Sequence, residues 1–224
     1  MHKILLVIHV IAATVALVSG MFAILARKGR GVHTGAGLTY YASMYGTALS
    51  AVIMSVMKWN PFLLSIGIFA LYLVYSGRKA IWYKRLKAPY TPALKDKLAA
   101  YIGLATGTVM LGYPLYQYST HSGPAFSVLQ VFGFILLLYC LRDLQLLADP
   151  RNFTPHNNKV WLPRHIGAMG GAYISTVTAL LVVNVHFSPG WVVWLAPTAV
   201  GSVLISRSIA RIRPRRAHTP ATTE

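Results

Sequence analysis

Seven long apolar segments follow one another along this chain, and they limit its fold more than any other feature. A helix that crosses a bilayer needs about 20 mostly apolar residues, and each segment is of roughly that length. Charged or turn-forming residues separate the segments, as at Asn60-Pro61 and Ser188-Pro189. The predicted spans are 4–26, 36–57, 61–83, 98–118, 125–148, 162–187 and 191–207.

The composition excludes a water-soluble globule. Hydrophobic residues make up 55% of the 224 positions and charged residues only 11%, whereas a soluble domain carries about 25% charged residues. Such an apolar chain is not intrinsically disordered either. Its single cysteine, Cys140, excludes a disulfide framework and any paired-cysteine metal or redox motif.

The basic residues predict how the spans are oriented. With the N-terminus outside and the C-terminus inside, all but Lys3 and Lys58 of the 21 lysines and arginines fall on the cytoplasmic side, as the positive-inside rule requires. We therefore expect an all-α, polytopic bundle of seven spans in the inner (cytoplasmic) membrane. It would comprise one domain, 1–210, and a short basic cytoplasmic tail, 211–224.

The same distribution explains the net charge of +17. Cations gathered on one side of a membrane protein face the anionic lipids of the inner leaflet. We therefore predict lipid as the partner of this charge and no nucleic acid.

Small residues recur at four-residue spacing in three of the segments. Helices in lipid pack where small side chains let their backbones approach, so these stripes should face the bundle interior. The stripes are Ala12, Ala16 and Gly20; Ala99, Gly103 and Gly107; and Gly167, Gly171, Ser175 and Ala179.

Acidic residues are too few to support several common membrane functions. The four, Asp96, Asp143, Asp149 and Glu224, are expected at the inner face or in the tail. Proton- or sodium-coupled transport usually needs a carboxylate within the membrane, and hydrolysis by paired carboxylates needs two together. The last span has no lysine that could hold retinal.

Histidines are the remaining candidates for chemistry, and the predicted topology divides them into two layers. An outer cluster would join His9 to His186 or His121. An inner cluster would join His33 to His165, with or without His156. His9 shares a helical face with the first small-residue stripe, so it should point into the bundle.

This arrangement suggests a histidine-ligated redox protein. Helical bundles hold haem iron with histidines from different helices at matching depth. We predict haem b, with His9, His33, His165, His186 and His121 as candidate cofactor-binding residues. His9, His33 and His165 are also candidate metal ligands, since imidazole suits copper and zinc as well. If the chain is an enzyme, we expect a membrane oxidoreductase acting with a quinone or a redox partner; no catalytic residue is predicted.

Three other interpretations stay open. The histidines would bond only to backbone or lipid phosphate in a purely structural role. Tyrosines of the second and fourth segments, including Tyr41 and Tyr113, would line a pocket in a non-enzymatic carrier of a quinone-like or lipid-like molecule. The small-residue stripes would dock a ligand-free structural or assembly protein.

Three stretches of the chain also resemble a known family. They are 9–20 followed by His33-Thr34-Gly35 and Tyr40; Asn60-Pro61-Phe62 through Gly77; and Arg164-His165-Ile166-Gly167 through Asn184. Together they resemble a family of bacterial multi-pass membrane proteins classed as a domain of unknown function, a histidine-rich seven-helix type. The resemblance implies a membrane protein, implies no activity, and matches His9, His33 and His165 to the pattern of that family.

Overall fold

A computed structural model of the chain describes residues 2–29, 31–87, 89–121, 127–154 and 161–212. In those ranges the backbone forms seven α-helices, one short 3-10 helix and no strand, which confirms the predicted all-α class. The α-helices are α1 (His2–Leu25), α2 (Val32–Met57), α3 (Pro61–Lys84), α4 (Leu94–His121), α5 (Val128–Ala148), α6 (Trp161–Asn184) and α7 (Trp191–Ile212). Beyond α7, the predicted tail lies outside the described residues.

Local capping explains where α3 and α5 begin. Asn60 precedes α3 and its side-chain oxygen accepts a hydrogen bond from the backbone N–H of Leu63 at 3.0 Å. Ser127 and Gln130 form a capping box at α5. The hydroxyl oxygen of Ser127 accepts from the backbone of the first turn, and the side-chain oxygen of Gln130 accepts from the backbone N–H of Ser127. This box starts α5 at Val128, three residues later than the predicted span.

Two glycines shape the connection between α1 and α2. Gly29 and Gly31 have φ angles of 95° and 55°, a region that favours glycine because it has no Cβ. The ammonium group of Lys28 donates a hydrogen bond to the carbonyl of Ala23 at 3.0 Å, near the end of α1, where carbonyls lack helical partners. The charged, glycine-rich segment therefore ends one helix and reverses the chain.

Six of the seven helices are long and apolar enough to cross a membrane, and α2 is not among them. The reason is its composition, because α2 carries eight of the hydroxyl side chains that lower its hydropathy: Thr34, Thr39, Tyr40, Tyr41, Ser43, Tyr45, Thr47 and Ser50. The molecule is thus a helical bundle of membrane-protein character.

Helix α3 lies at the centre of the bundle. It packs against α2, α4, α5 and α6, whereas α1 packs chiefly on α2 and α7 chiefly on α6. Its central role is visible in Leu73 and Val74, both fully buried. Since α2 and α4 pack on α3 and not principally on each other, α3 separates them.

Consecutive helices run in opposite directions. The end of α1 meets the start of α2 where Ala23 bonds His33, and the end of α3 meets the start of α4 where Lys79 pairs with Asp96. The bundle consequently has two distinct ends. One end gathers the C-terminal ends of α1, α3, α5 and α7 with the N-terminal ends of α2, α4 and α6.

Small residues occupy the helix contacts, as predicted. A Cβ on Gly107 of α4 would lie 3.1 Å from the carbonyl oxygen of Gly133 in α5, and one on Gly20 would lie 2.5 Å from the ring of Tyr173. Gly171 faces Leu73 in the same way, at 3.2 Å. Ala179 differs from the prediction, since it is exposed near the end of α6.

Candidate functional site

The bundle end that gathers the C-termini of α1, α3, α5 and α7 is strongly basic, and we call it the basic end. All lysines and arginines that the structure describes belong to it except Lys3 and Lys58, which lie at the opposite end. The described lysines and arginines are therefore distributed unequally between the two ends of the folded bundle, as expected from the sequence.

Two of the candidate histidines lie at the basic end. His33 lies in the first turn of α2 and His165 in the first turns of α6. Both are half-buried. The two histidines of the predicted inner pair thus lie at the same end of the bundle, on two helices that run in the same direction.

Backbone carbonyls hold both rings in place. The Nδ1–H of His33 donates to the carbonyl of Ala23 in α1 at 2.8 Å. The Nδ1–H of His165 donates to the carbonyl of Gly77 in α3 at 3.1 Å. A carbonyl oxygen only accepts, so Nδ1 carries the proton and Nε2 of each neutral ring keeps its lone pair.

His9 is anchored by the same kind of bond in another part of the bundle. Its Nδ1–H is shared between the carbonyl of Thr47 and the hydroxyl of Ser50, both at 3.0 Å and both on α2. The predicted inward orientation of His9 is confirmed. It is far along α1 from the basic end, so the three histidines do not converge on one ion.

The structure gives fewer contacts for the other candidate histidines. His186 is exposed beyond α6, in a shallow cleft with Val193 and Trp194, and no contact among the described residues joins it to His9. His121 ends α4, but its side chain lies outside the described part of the chain, as do His156 and His218. The predicted outer cluster therefore stays a prediction.

A histidine that binds metal through Nε2 usually donates its Nδ1–H to a carbonyl, carboxylate or water, which fixes the orientation of the ring. Within the described ranges, no group of three or more His, Cys, Asp or Glu side chains is placed to hold a metal ion. The basic end instead has two imidazoles, on two helices, whose Nε2 atoms are not used by the hydrogen bonds to the carbonyls.

A buried ion pair lies next to His165, and the sequence prediction missed it. Arg164 donates through Nη2 to Asp143 of α5 at 2.6 Å, and its Nε donates to the hydroxyl of Ser76 at 3.1 Å. Tyr72 donates to the same carboxylate oxygen at 2.6 Å. This network ties α3, α5 and α6 together.

This network is buried within the bundle, beside the first turn of α6 at the basic end. The side chains of Arg164 and Asp143 are only 10% and 7% exposed, and the Nη1 atom of Arg164 is buried without a hydrogen-bond partner. The physical reason is that Arg164 supplies a countercharge from α6. In the sequence, the charged residue Asp143 within an apolar run was the signal that could have indicated a buried ion pair.

Asp96 is a second carboxylate buried by its partners. It pairs with Lys79 of α3 at 2.7 Å and accepts hydrogen bonds from the hydroxyl of Tyr90 and the backbone N–H of Ala93. These contacts fasten the segment between α3 and α4 onto the basic end.

The tyrosines of α2 and α4 lie on two helices that α3 separates. Tyr40 is 4% exposed and packs edge-on against Tyr173 of α6, whereas Tyr101 and Tyr116 of α4 are exposed. Tyr41 and Tyr113 both pack against the main core as partly buried side chains, and the pocket that they would line stays a prediction.

Comparisons with protein-family models, with curated proteins and with solved structures find no match to this chain. The family resemblance drawn from the sequence accordingly stays a prediction, and the site geometry alone supports the functional argument.

Proposed function

We propose that the chain is a seven-span protein of the bacterial cytoplasmic membrane, with its basic end facing the cytoplasm. The grouping of the cations at this end supports the orientation, by the positive-inside rule. With its 26 residues α2 is about 39 Å long, which is sufficient for a span.

Hydrogen bonding explains how α2 crosses despite its polar composition. The hydroxyl of Thr47 donates to the carbonyl of Ser43 at 2.8 Å and that of Ser50 to the carbonyl of Thr47 at 2.9 Å. Both side chains are buried. Hydroxyls that are paired within the protein present no unsatisfied group to lipid, so they oppose insertion less than their hydropathy suggests.

We further propose that the protein binds haem b at the basic end and transfers electrons to or from a quinone or a redox partner. The observation that carries this proposal is the His33–His165 pair, in which both Nδ1 atoms are bonded to carbonyls and both Nε2 atoms are left as ligands. Haem, when bound, supplies a one-electron change of oxidation state.

The chain's own residues would hold and orient this group. The carbonyls of Ala23 and Gly77 fix the two rings through hydrogen bonds. Lys84 interacts electrostatically with His165, and a cation near a haem ligand suits a carboxylate of the porphyrin. His9 lies too far along α1 to join this pair, and its proposed part is an outer site.

The visible spectrum of the purified protein tests this proposal. We expect a Soret band after expression with a supply of haem, and an altered band after reduction with dithionite. His33→Ala and His165→Ala should each weaken the band, because each removes one Nε2 ligand. His2→Ala is the matched control, since His2 lies at the opposite end of α1, and it should leave the band unchanged.

The outcomes separate the candidate functions. Absence of a Soret band in the haem-supplied protein contradicts the haem proposal. A band that survives both His33→Ala and His165→Ala contradicts the assignment of the ligands. A co-purified organic molecule without haem would favour the carrier interpretation, and a stable protein partner with neither would favour the scaffold.

A further inference from the structure

A cleft of about 280 Å³ opens between α2 and α3 at the basic end. Arginine, lysine and aromatic side chains form most of its wall, and none of the lining residues is acidic. The lining residues are Tyr41, Tyr75, Arg78, Lys79, Ile81, Trp82 and Arg85.

Two arginines give the cleft its charge. Arg78 lies in the last two turns of α3 and Arg85 directly follows its last residue, and both line the cleft. The guanidinium of Arg78 lies 5.3 Å from the ring centre of Tyr41. Among the described residues, neither arginine forms a salt bridge with an acidic side chain.

Lys79 contributes differently from the two arginines. Its charge is balanced by Asp96 at 2.7 Å, and its ammonium lies 4.3 Å from the ring centre of Trp82. The cleft thus has two uncompensated cations, held between aromatic side chains of the kind that settle at the headgroup level of a bilayer.

We propose that this cleft is a specific site for the phosphate headgroup of one anionic phospholipid. Guanidinium groups bind phosphate oxygens through paired, charge-assisted hydrogen bonds. Basic pockets between helices on the cytoplasmic side suit such headgroups. The site is separate from the His33–His165 pair, so it stands whether or not haem binds.

The surface next to the cleft favours a lipid over a free phosphate ion. Tyr41, Tyr45 and Leu49 follow one another at four-residue spacing and so share one face of α2. Tyr45 and Leu49 are 43% and 44% exposed, and they lead from the cleft toward the middle of the bundle. An acyl chain can lie along this stripe while the headgroup occupies the cleft.

Native mass spectrometry of the full chain in detergent micelles tests the proposal. The micelles contain equal amounts of phosphatidylglycerol and phosphatidylcholine, and the retained lipid is counted after dilution. We expect one retained phosphatidylglycerol. Arg78→Gln combined with Arg85→Gln should lower its retention about a hundredfold, because each change removes a charge-assisted hydrogen bond to the phosphate that contributes roughly tenfold.

The matched control removes the same charge outside the cleft. Lys87→Gln combined with Lys95→Gln takes two exposed cations from the basic end, and retention should stay within about twofold of the unchanged protein. Equal losses in both double variants would overturn the proposal, since they would show a diffuse cation layer and no specific site.

Two further measurements keep the proposal testable if the double variant fails to fold. Ile81→Trp keeps the charge and fills the cleft, so it should release the lipid; unchanged retention in this variant contradicts the site. Soluble glycerol phosphate is the second probe. If it displaces the retained lipid at concentrations near that of the lipid, the cleft binds a free phosphate and the lipid assignment is wrong.

Discussion

His165 of α6 donates its Nδ1 proton to the carbonyl oxygen of Gly77 in α3, across 3.1 Å. Gly77 is also a point of close approach between these helices, because a Cβ there would lie 2.7 Å from Cγ and 3.2 Å from the backbone nitrogen of Met169. The residue that lets α6 approach α3 therefore also supplies the acceptor that orients a proposed haem ligand.

This relationship predicts that Gly77→Ala destabilises the bundle. The new methyl group meets Met169, whose backbone nitrogen cannot move without moving α6, and overpacking of this kind costs about 1–3 kcal/mol. Thermal unfolding in one detergent measures the change. Gly112→Ala is the control, because a Cβ at Gly112 meets nothing within 4 Å, and there we expect no loss.

In haem-loaded protein the two glycine variants should differ again. Gly77→Ala should weaken the Soret band through displacement of His165, while Gly112→Ala should preserve it. If both variants keep both the unfolding temperature and the spectrum, Gly77 does not control the approach of α6.

The buried Asp143–Arg164 pair makes a second prediction. Asp143→Asn leaves the guanidinium of Arg164 buried without its countercharge, so we expect about 3–5 kcal/mol of destabilisation. Asp149→Asn is the control, because Asp149 pairs with Arg151 at the surface, where that arginine is 88% exposed. Its unfolding temperature should hardly change.

A double variant separates the charge from the packing. If the missing countercharge is the cause, Asp143→Asn combined with Arg164→Gln should be more stable than Asp143→Asn alone. A double variant as unstable as the sum of both single changes would assign the loss to packing among α3, α5 and α6.

Much of this fold could be predicted because lipid imposes simple rules on sequence. Apolar length predicted the six helices that are apolar enough to cross a membrane, and four-residue spacing of small residues predicted the contacts of Gly20, Gly107 and Gly171. The inward orientation of His9 followed from helical periodicity alone. These features are local, so a single segment contains the information.

The buried network could not be predicted in the same way. Asp143 is buried because Arg164 and Tyr72 come from two other helices to meet it, and that meeting depends on tertiary packing. The separation of the α2 and α4 tyrosines by α3 also depends on which helices pack against each other. Sequence spacing within one helix carries no information about either.

Tyr90 predicts a dependence of stability on alkaline pH. Burial, followed by its hydrogen bond to Asp96, raises the pKa of Tyr90 above its usual value, so folding favours the protonated phenol. This stabilisation is complete below the unfolded-state pKa of about 10 and is lost as the pH rises through the higher folded-state pKa. Tyr90→Phe should flatten the decline of unfolding temperature above this pH.

The control for this prediction is Tyr118→Phe, since Tyr118 is 57% exposed near the far end of α4. Its profile should follow that of the unchanged protein. Identical alkaline profiles for all three proteins would show that the contact between Tyr90 and Asp96 does not contribute to the stability of the fold.

Cysteine labelling tests whether α2 crosses the membrane. The chain's single cysteine, Cys140, is fully buried, so cysteines can be introduced one at a time over a low background. Arg27→Cys and Lys58→Cys flank α2 at exposed positions. With seven spans, a membrane-impermeant maleimide should label Lys58→Cys in intact cells and Arg27→Cys only after permeabilisation. Both positions would be labelled in the same compartment if α2 did not cross.

The reason to expect opposite compartments is the way α2 pairs with α1. His33 at the start of α2 bonds the end of α1, and Thr47 farther along α2 bonds His9 near the start of α1. The two helices are therefore side by side over most of their length. Because α1 is apolar enough to cross, we expect an antiparallel partner bonded to it at both depths to lie at the same level of the bilayer, with Thr47 and Ser50 buried against protein.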